Sequence, residues 1–330
     1  MISLLKQKIP INIFIVFVLG IVLKISIFSS STIPIIFETD SYLFIQLVEL
    51  LNSLFFGKGI LFAIATYLLL YSQALQLNNF LSEKSIVRQS GYLPAMSYIL
   101  ISSLVPEWNY FSASLLCNSF ILFILSEVSI IGERGKSKTA FFNVGLAVGL
   151  SIFLYSPALI LVLWLFCGFI IMRSFKFNTG LICLLGIATP FYFYSVYLFF
   201  ADQFSWLLVL PEMNSATAFK APSGWLMGSS LLLGVPFLMG GFLVRNNFKQ
   251  MLVSVRNNWN FLLLLLLFAL AIPFLNSKSN IDYQLFFLMI IPVSTFHSYV
   301  YLLTPTWFSS ILFWGSVIFI LVFQYYTVLW

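Results

Sequence analysis

The sequence predicts an all-helical, polytopic membrane protein of about eleven spans, with the N-terminus inside and the C-terminus outside. Three observations lead there. Of 330 residues, 61% are hydrophobic and only 8% are charged, whereas a soluble chain carries about 25% charge and about 45–50% apolar residues. Apolar runs of roughly span length recur along the whole chain. Lysine and arginine fall almost entirely on one side of those runs. No interior of a single globule could hide this much Leu, Ile and Phe, so the bilayer must solvate most of the surface. With spans this dense there is no stretch left for a separate soluble domain, and residues 1–330 read as one membrane domain.

About 20 apolar residues cross ~30 Å of hydrocarbon. Residues 11–28, 59–78, 92–104, 110–131, 140–154, 157–172, 178–200, 224–244, 258–275, 283–303 and 308–329 meet or approach that need. The first run follows Lys6 and Lys8, as a signal peptide's core would. At about 18 residues, with no small-x-small site after it, it reads instead as a retained helix. Residues 92–104 and 140–154 are short for a crossing. The stretch 140–172 is too long for one span and breaks at Tyr155-Ser156-Pro157, since proline removes a donor and disfavours helix in the residue before it. A helical hairpin is expected there.

Charge placement tests the count. With the N-terminus inside, the inner loops hold Lys6, Lys8, Lys84, Arg88, Arg134, Lys136, Lys138, Arg173, Lys176, Arg245, Lys249 and Arg256, which is 12 of the 16 basic residues. The outer loops hold Lys58, Lys220 and Lys278, with Lys24 near the outer end of the first span. This is the bias that sets orientation. It also accounts for the net charge of +6 without any nucleic-acid partner. Residues 42–56, with Gln46, Glu49 and Asn52 along one side, fit an amphipathic helix on the outer surface, because a carboxylate in lipid costs about 2.5–3.5 kcal/mol. A short re-entrant segment is the alternative.

Cys117, Cys167 and Cys183 lie inside apolar runs without Cys-x-x-Cys spacing and read as small buried hydrophobes. Gly145 and Gly149 form a small-x-x-x-small pair suited to close helix packing, within this chain or with a partner.

The opening MISLLKQKIPINIFIVFVLG, the block SGYLPAMSYILISSLVPEWNYFSASLLCNSFILFIL and the block FLYSPALILVLWLFCGFIIMRSFKFNTGLICLLGIATPFYFYSVYLFFADQF resemble a family of multi-span inner-membrane proteins of Bacteroidetes bacteria whose biochemical role is open. The likeness covers roughly residues 1–204 and implies a fold and a host more than a reaction. A carotene-cleaving oxygenase label attached to some relatives is a poor match, since such an enzyme holds iron through several histidines and this chain has one, His297.

The most suggestive chemical constellation is Glu38-Thr39-Asp40-Ser41-Tyr42, between the first span and the amphipathic segment. It resembles the integral-membrane (type C) glycosyltransferases, which take sugars from lipid-phosphate donors at the outer face and keep a carboxylate motif in their first outer loop. That resemblance makes Asp40 the base, or the ligand of a divalent metal, and Glu38 its partner. A positioned carboxylate is what deprotonating a hydroxyl or holding a metal beside phosphate requires. Without it, both are ordinary solvated loop charges, and no cofactor is implied. Donor phosphate would fall to Lys24 and Lys58, since all five arginines are inside and lysine binds phosphate as a point charge. Lys24 could equally snorkel to headgroups. Glu107, in the turn Pro106-Glu107-Trp108-Asn109, could face the same cavity or simply belong to an interfacial turn. The long loop 201–223 is where acceptor contacts are expected. Expected partners are membrane lipids, with either a polyprenyl-phosphate sugar or subunits of an envelope complex. The non-catalytic alternative is a subunit of an envelope export or assembly complex, which needs none of these residues.

Overall fold

The computed structural model describes residues 2–29, 34, 36, 40–87, 91–134, 138–172, 176–202, 205, 224–275 and 283–329. Among them all regular structure is helical. The helices are α1 (Ile2–Leu5), α2 (Ile11–Leu23), α3 (Ile25–Ser29), α4 (Tyr42–Leu54), α5 (Gly59–Glu83), α6 (Leu93–Ser102), α7 (Ala113–Arg134), α8 (Lys138–Leu154), α9 (Ile160–Ile171), α10 (Phe177–Phe200), α11 (Gly224–Asn247), α12 (Val253–Leu275), α13 (Ile290–Leu303) and α14 (Thr306–Leu329). Short 3-10 turns cover Pro106–Asn109, Ser156–Leu159, Phe248–Gln250 and Tyr283–Met289.

Seven of the described helical stretches are long and apolar enough to cross a membrane: α5, α7, α10, α11, α12, Tyr283–Leu303 and α14. The protein is therefore a helical membrane protein. The other four predicted segments are shorter helices, α2, α6, α8 and α9. The first expected span is not continuous, because α2 stops at Lys24 and α3 restarts at Ile25. The break at Tyr155-Ser156-Pro157 is present, with α8 ending at Leu154 and a 3-10 turn leading into α9.

The two helices at the centre are α6 and α13. Every residue of α6 is buried, and every residue of α13 from Ile290 to Leu302. They pack on each other, α5 and α2 pack against α6, and α11 and α14 against α13. Their serines and threonines return their hydroxyls to carbonyls one turn back, as in Ser97 to Leu93 O and Thr295 to Ile291 O, both 2.8 Å. That lets small polar side chains sit inside an apolar bundle without orphaned donors. A second polar layer joins α5, α6 and α7. Gln73 Nε2 donates to Leu115 O, Tyr98 donates to Gln73 Oε1, and Asn118 Nδ2 donates to Phe287 O, at 2.7, 2.7 and 3.3 Å.

The contact between α8 and α10 explains the glycine pair. A Cβ on Gly145 would collide with the carbonyl of Cys183, one on Gly149 with that of Ile187, and one on Gly186 with that of Phe142. Only glycine lets the two backbones approach this closely. Internal packing thus occupies the small-x-x-x-small face.

Helix α4 is 13 residues long, about 20 Å, too short for a ~30 Å core. It buries Phe44 and Val48, leaves Glu49, Leu50 and Leu54 exposed, and packs on α8. Phe44 stacks on Phe111 with ring centroids 6.1 Å apart.

Candidate functional site

Several chain breaks meet at one end of the bundle, and they meet through polar contacts. Where α2 gives way to α3, Lys24 turns inward and is fully buried. Its Nζ donates to Asn109 Oδ1 at 2.7 Å and to Ser102 O at 3.1 Å. Both acceptors are neutral; Ser102 ends α6 and Asn109 lies in the connection from α6 to α7. The lysine therefore neither snorkels to headgroups nor faces an open surface, and it clamps the first helix to the Pro106–Asn109 turn. Burying an ammonium is costly unless it is hydrogen-bonded, and a carbonyl and a side-chain amide supply those bonds here.

The same turn is fixed from its other side. Trp108 Nε1 donates to Tyr283 O at 2.9 Å, and Gln284 Nε2 donates to Glu107 O at 3.0 Å. Ser229, near the start of α11, donates to Leu104 O at 2.7 Å. Glu107 is half-buried on this turn, so the structure brings Glu107 and Lys24 onto one element, linked through Asn109.

Beside the turn lies a cavity of about 410 Å³. Trp108, Met227, Ser229, Leu233, Tyr283 and Phe286 contribute to its wall, which is largely apolar and, among the described residues, carries no ionisable group other than the Tyr283 phenol. Neither Lys24 nor Glu107 lines it.

Asp40 sits elsewhere on this end. It forms an isolated antiparallel bridge with Tyr155, and its neighbour Ser41 donates its backbone N–H to Leu154 O and its hydroxyl to Ile152 O, at 3.2 and 3.3 Å. Ser41 Oγ also lies 3.1 Å from Ser156 Oγ. Asp40 and Ser41 are thus anchored on the break between α8 and α9, the point where backbone groups are freed from helix bonding. Lys58, directly before α5, is exposed. Glu38 and the loop residues 206–223 lie outside the described residues. Among the described residues no group of three or more His, Cys, Asp or Glu side chains could hold a metal ion. His297 is buried in α13, with Nε2 2.9 Å from Leu233 O.

Sequence reasoning missed Asn109, Ser102 and Ser229. Asn109 was within reach, because a buried-lysine reading of Lys24 calls for a polar partner beside the neighbouring spans. The carbonyl of Ser102 carries no sequence signal. No protein-family model, characterised protein or solved structure matches the chain.

Proposed function

We propose that this chain crosses a bacterial inner membrane about eleven times, with its N-terminus inside, and binds the hydrocarbon portion of a lipid-phosphate carrier at the Lys24–Glu107 end. The charge pattern supports an outer-face position for that end. In this reading the bound lipid carries a sugar, and the protein performs a type-C-like glycosyltransferase step in envelope glycan assembly. Asp40 and Glu38 serve as base or metal-binding carboxylates. The single observation that supports it best is the apolar cavity walled by Trp108 and Tyr283, adjoining the turn that bears Glu107 and the amide that holds Lys24. A cavity of a few hundred Å³ with few polar groups suits an apolar ligand. The resemblance to the Bacteroidetes family agrees with the host and the membrane.

Lipid extracted from the purified protein tests this directly. Wild type is expected to retain polyprenyl phosphate, and Ser229→Trp, which fills the cavity, to retain much less. Equal retention by both, or none by either, removes the lipid-carrier reading. Envelope glycan profiles of an Asp40→Asn strain then test the chemistry, with a change matching that of the deletion strain as the expected result.

A second reading has its own support. Lys24 is sealed by neutral groups, Lys58 is exposed, and the Asp40 backbone bridges Tyr155, so among the described residues these three are held by different elements. A non-catalytic subunit of an envelope export or assembly complex requires no such convergence. It predicts a stable partner on isolation in mild detergent and an unchanged glycan profile in the Asp40→Asn strain.

A further inference from the structure

At the other end of α11 the bundle opens into a second cavity of about 820 Å³. Arg245, Asn246 and Lys249 form its polar side, and Val244, Phe248, Leu263 and Phe296 form its apolar side. Among the described residues no acidic side chain lines it. Arg256, near the start of α12, adds a third cation by lying over the Phe248 ring, with Cζ 6.0 Å from the centroid. Ser229 and Arg245 are 16 residues apart on α11, or about 24 Å. The cavity is therefore separate from the one beside Trp108, and the inference is independent of the proposed function.

We propose that this cavity binds the headgroup phosphate of an anionic phospholipid, with the glycerol and the upper acyl chains against the apolar wall. The arginine fork can hold two phosphate oxygens, and the lysine adds a point charge. Charge complementarity fixes the sign of the ligand. The apolar half of the cavity argues for a lipid, because a free phosphate would gain nothing from Val244, Leu263 and Phe296. Cations at a membrane boundary are common, but here Arg245 at the end of α11 and Lys249 in the turn that follows, both exposed, flank one recess between α11, α12 and α13. Basic recesses of this kind between helices suit anionic headgroups.

The test uses the purified full chain in a mild non-ionic detergent, titrated with phosphatidylglycerol or phosphatidylcholine while its thermal unfolding is followed. Phosphatidylglycerol is expected to raise Tm saturably and phosphatidylcholine to do so far less. Arg245→Gln/Lys249→Gln should weaken the apparent affinity for phosphatidylglycerol at least about tenfold, because both charged donors to the phosphate are lost. Lys138→Gln/Lys176→Gln, which removes two exposed cations remote in sequence, should leave it unchanged. An undiminished response in the first variant, or an equal loss in the second, overturns the site. A response to inorganic phosphate as large as that to the lipid overturns the lipid assignment. Gly241→Leu keeps both cations but projects into this cavity, where a Cβ meets nothing within 4 Å. Loss of the lipid response there supports the site even where the charge variant does not fold, and retention counts against it.

Discussion

Two neighbouring stretches, Tyr283–Leu303 and Trp225–Gln250, are both long and apolar enough to cross a membrane, yet 89% of the first window is buried inside the protein and 22% of the second. Hydropathy does not separate them, because lipid and protein interior are both apolar solvents. What separates them is where small polar side chains and close contacts occur. Ser294, Thr295, His297 and Ser298 are all buried on α13. On α11 the large residues Met227, Leu231, Leu238 and Phe242 are exposed to the surroundings. In a bilayer, association between helices draws on packing and hydrogen bonds rather than on removal of apolar surface from water. The buried helix is therefore the one that can least tolerate a change of shape.

The largest expected effect follows from removing a ring at that contact. Phe296 is buried, with its ring 5.0 Å from that of Phe237 and 4.9 Å from that of Trp259. Phe296→Ala should cost about 3–5 kcal/mol, the usual range for a buried ring, and Leu238→Ala on the exposed face of α11 under ~0.5 kcal/mol. Unfolding in detergent measures both, and equal losses would mean that α13 is not the inner helix.

Next comes the buried lysine. Lys24→Met leaves Asn109 Oδ1 without the ammonium it accepts from, and an unsatisfied buried acceptor costs about 1–3 kcal/mol. Lys24→Met/Asn109→Leu should recover the part of that loss due to Asn109, since replacing both partners by apolar groups is nearly neutral, while Ser102 O still lacks the lysine donor. If instead the double variant is stable but the retained lipid disappears, the Lys24–Asn109 pair positions the turn that walls the cavity and does not only hold the fold.

The pattern of legible and illegible features has a physical basis. The break at Tyr155-Ser156-Pro157 was readable because proline acts locally on the chain. The long helices were readable because their apolar runs must match a fixed membrane thickness. The inward turn of Lys24 was not, since snorkelling and burial demand the same residue, and the choice depends on Asn109, which is 85 positions away. For the same reason Gly145 and Gly149 announced a close contact without naming α10 as the other side. The site was legible only as a set of charges predicted to share one side of the spans. That Lys24 meets the Pro106–Asn109 turn while Asp40 meets the Tyr155 break is set by tertiary pairing that no local pattern encodes.

The smallest effects come from glycines along α11, which distinguish its two faces within one helix. A Cβ on Gly240 would press on Phe296 O, whereas one on Gly234 meets nothing within 4 Å. Glycine inside a helix is destabilising by roughly 0.5–1 kcal/mol relative to alanine. Gly234→Ala should therefore stabilise by about that amount, visible as a small rise in Tm. Gly240→Ala has the same propensity gain but must push α11 away from α13, and strain from over-filling a contact costs about 1–3 kcal/mol, so its net sign should be negative. Because both substitutions add one methyl group to the same helix, their difference isolates the contact with α13 from everything the helix does on its own.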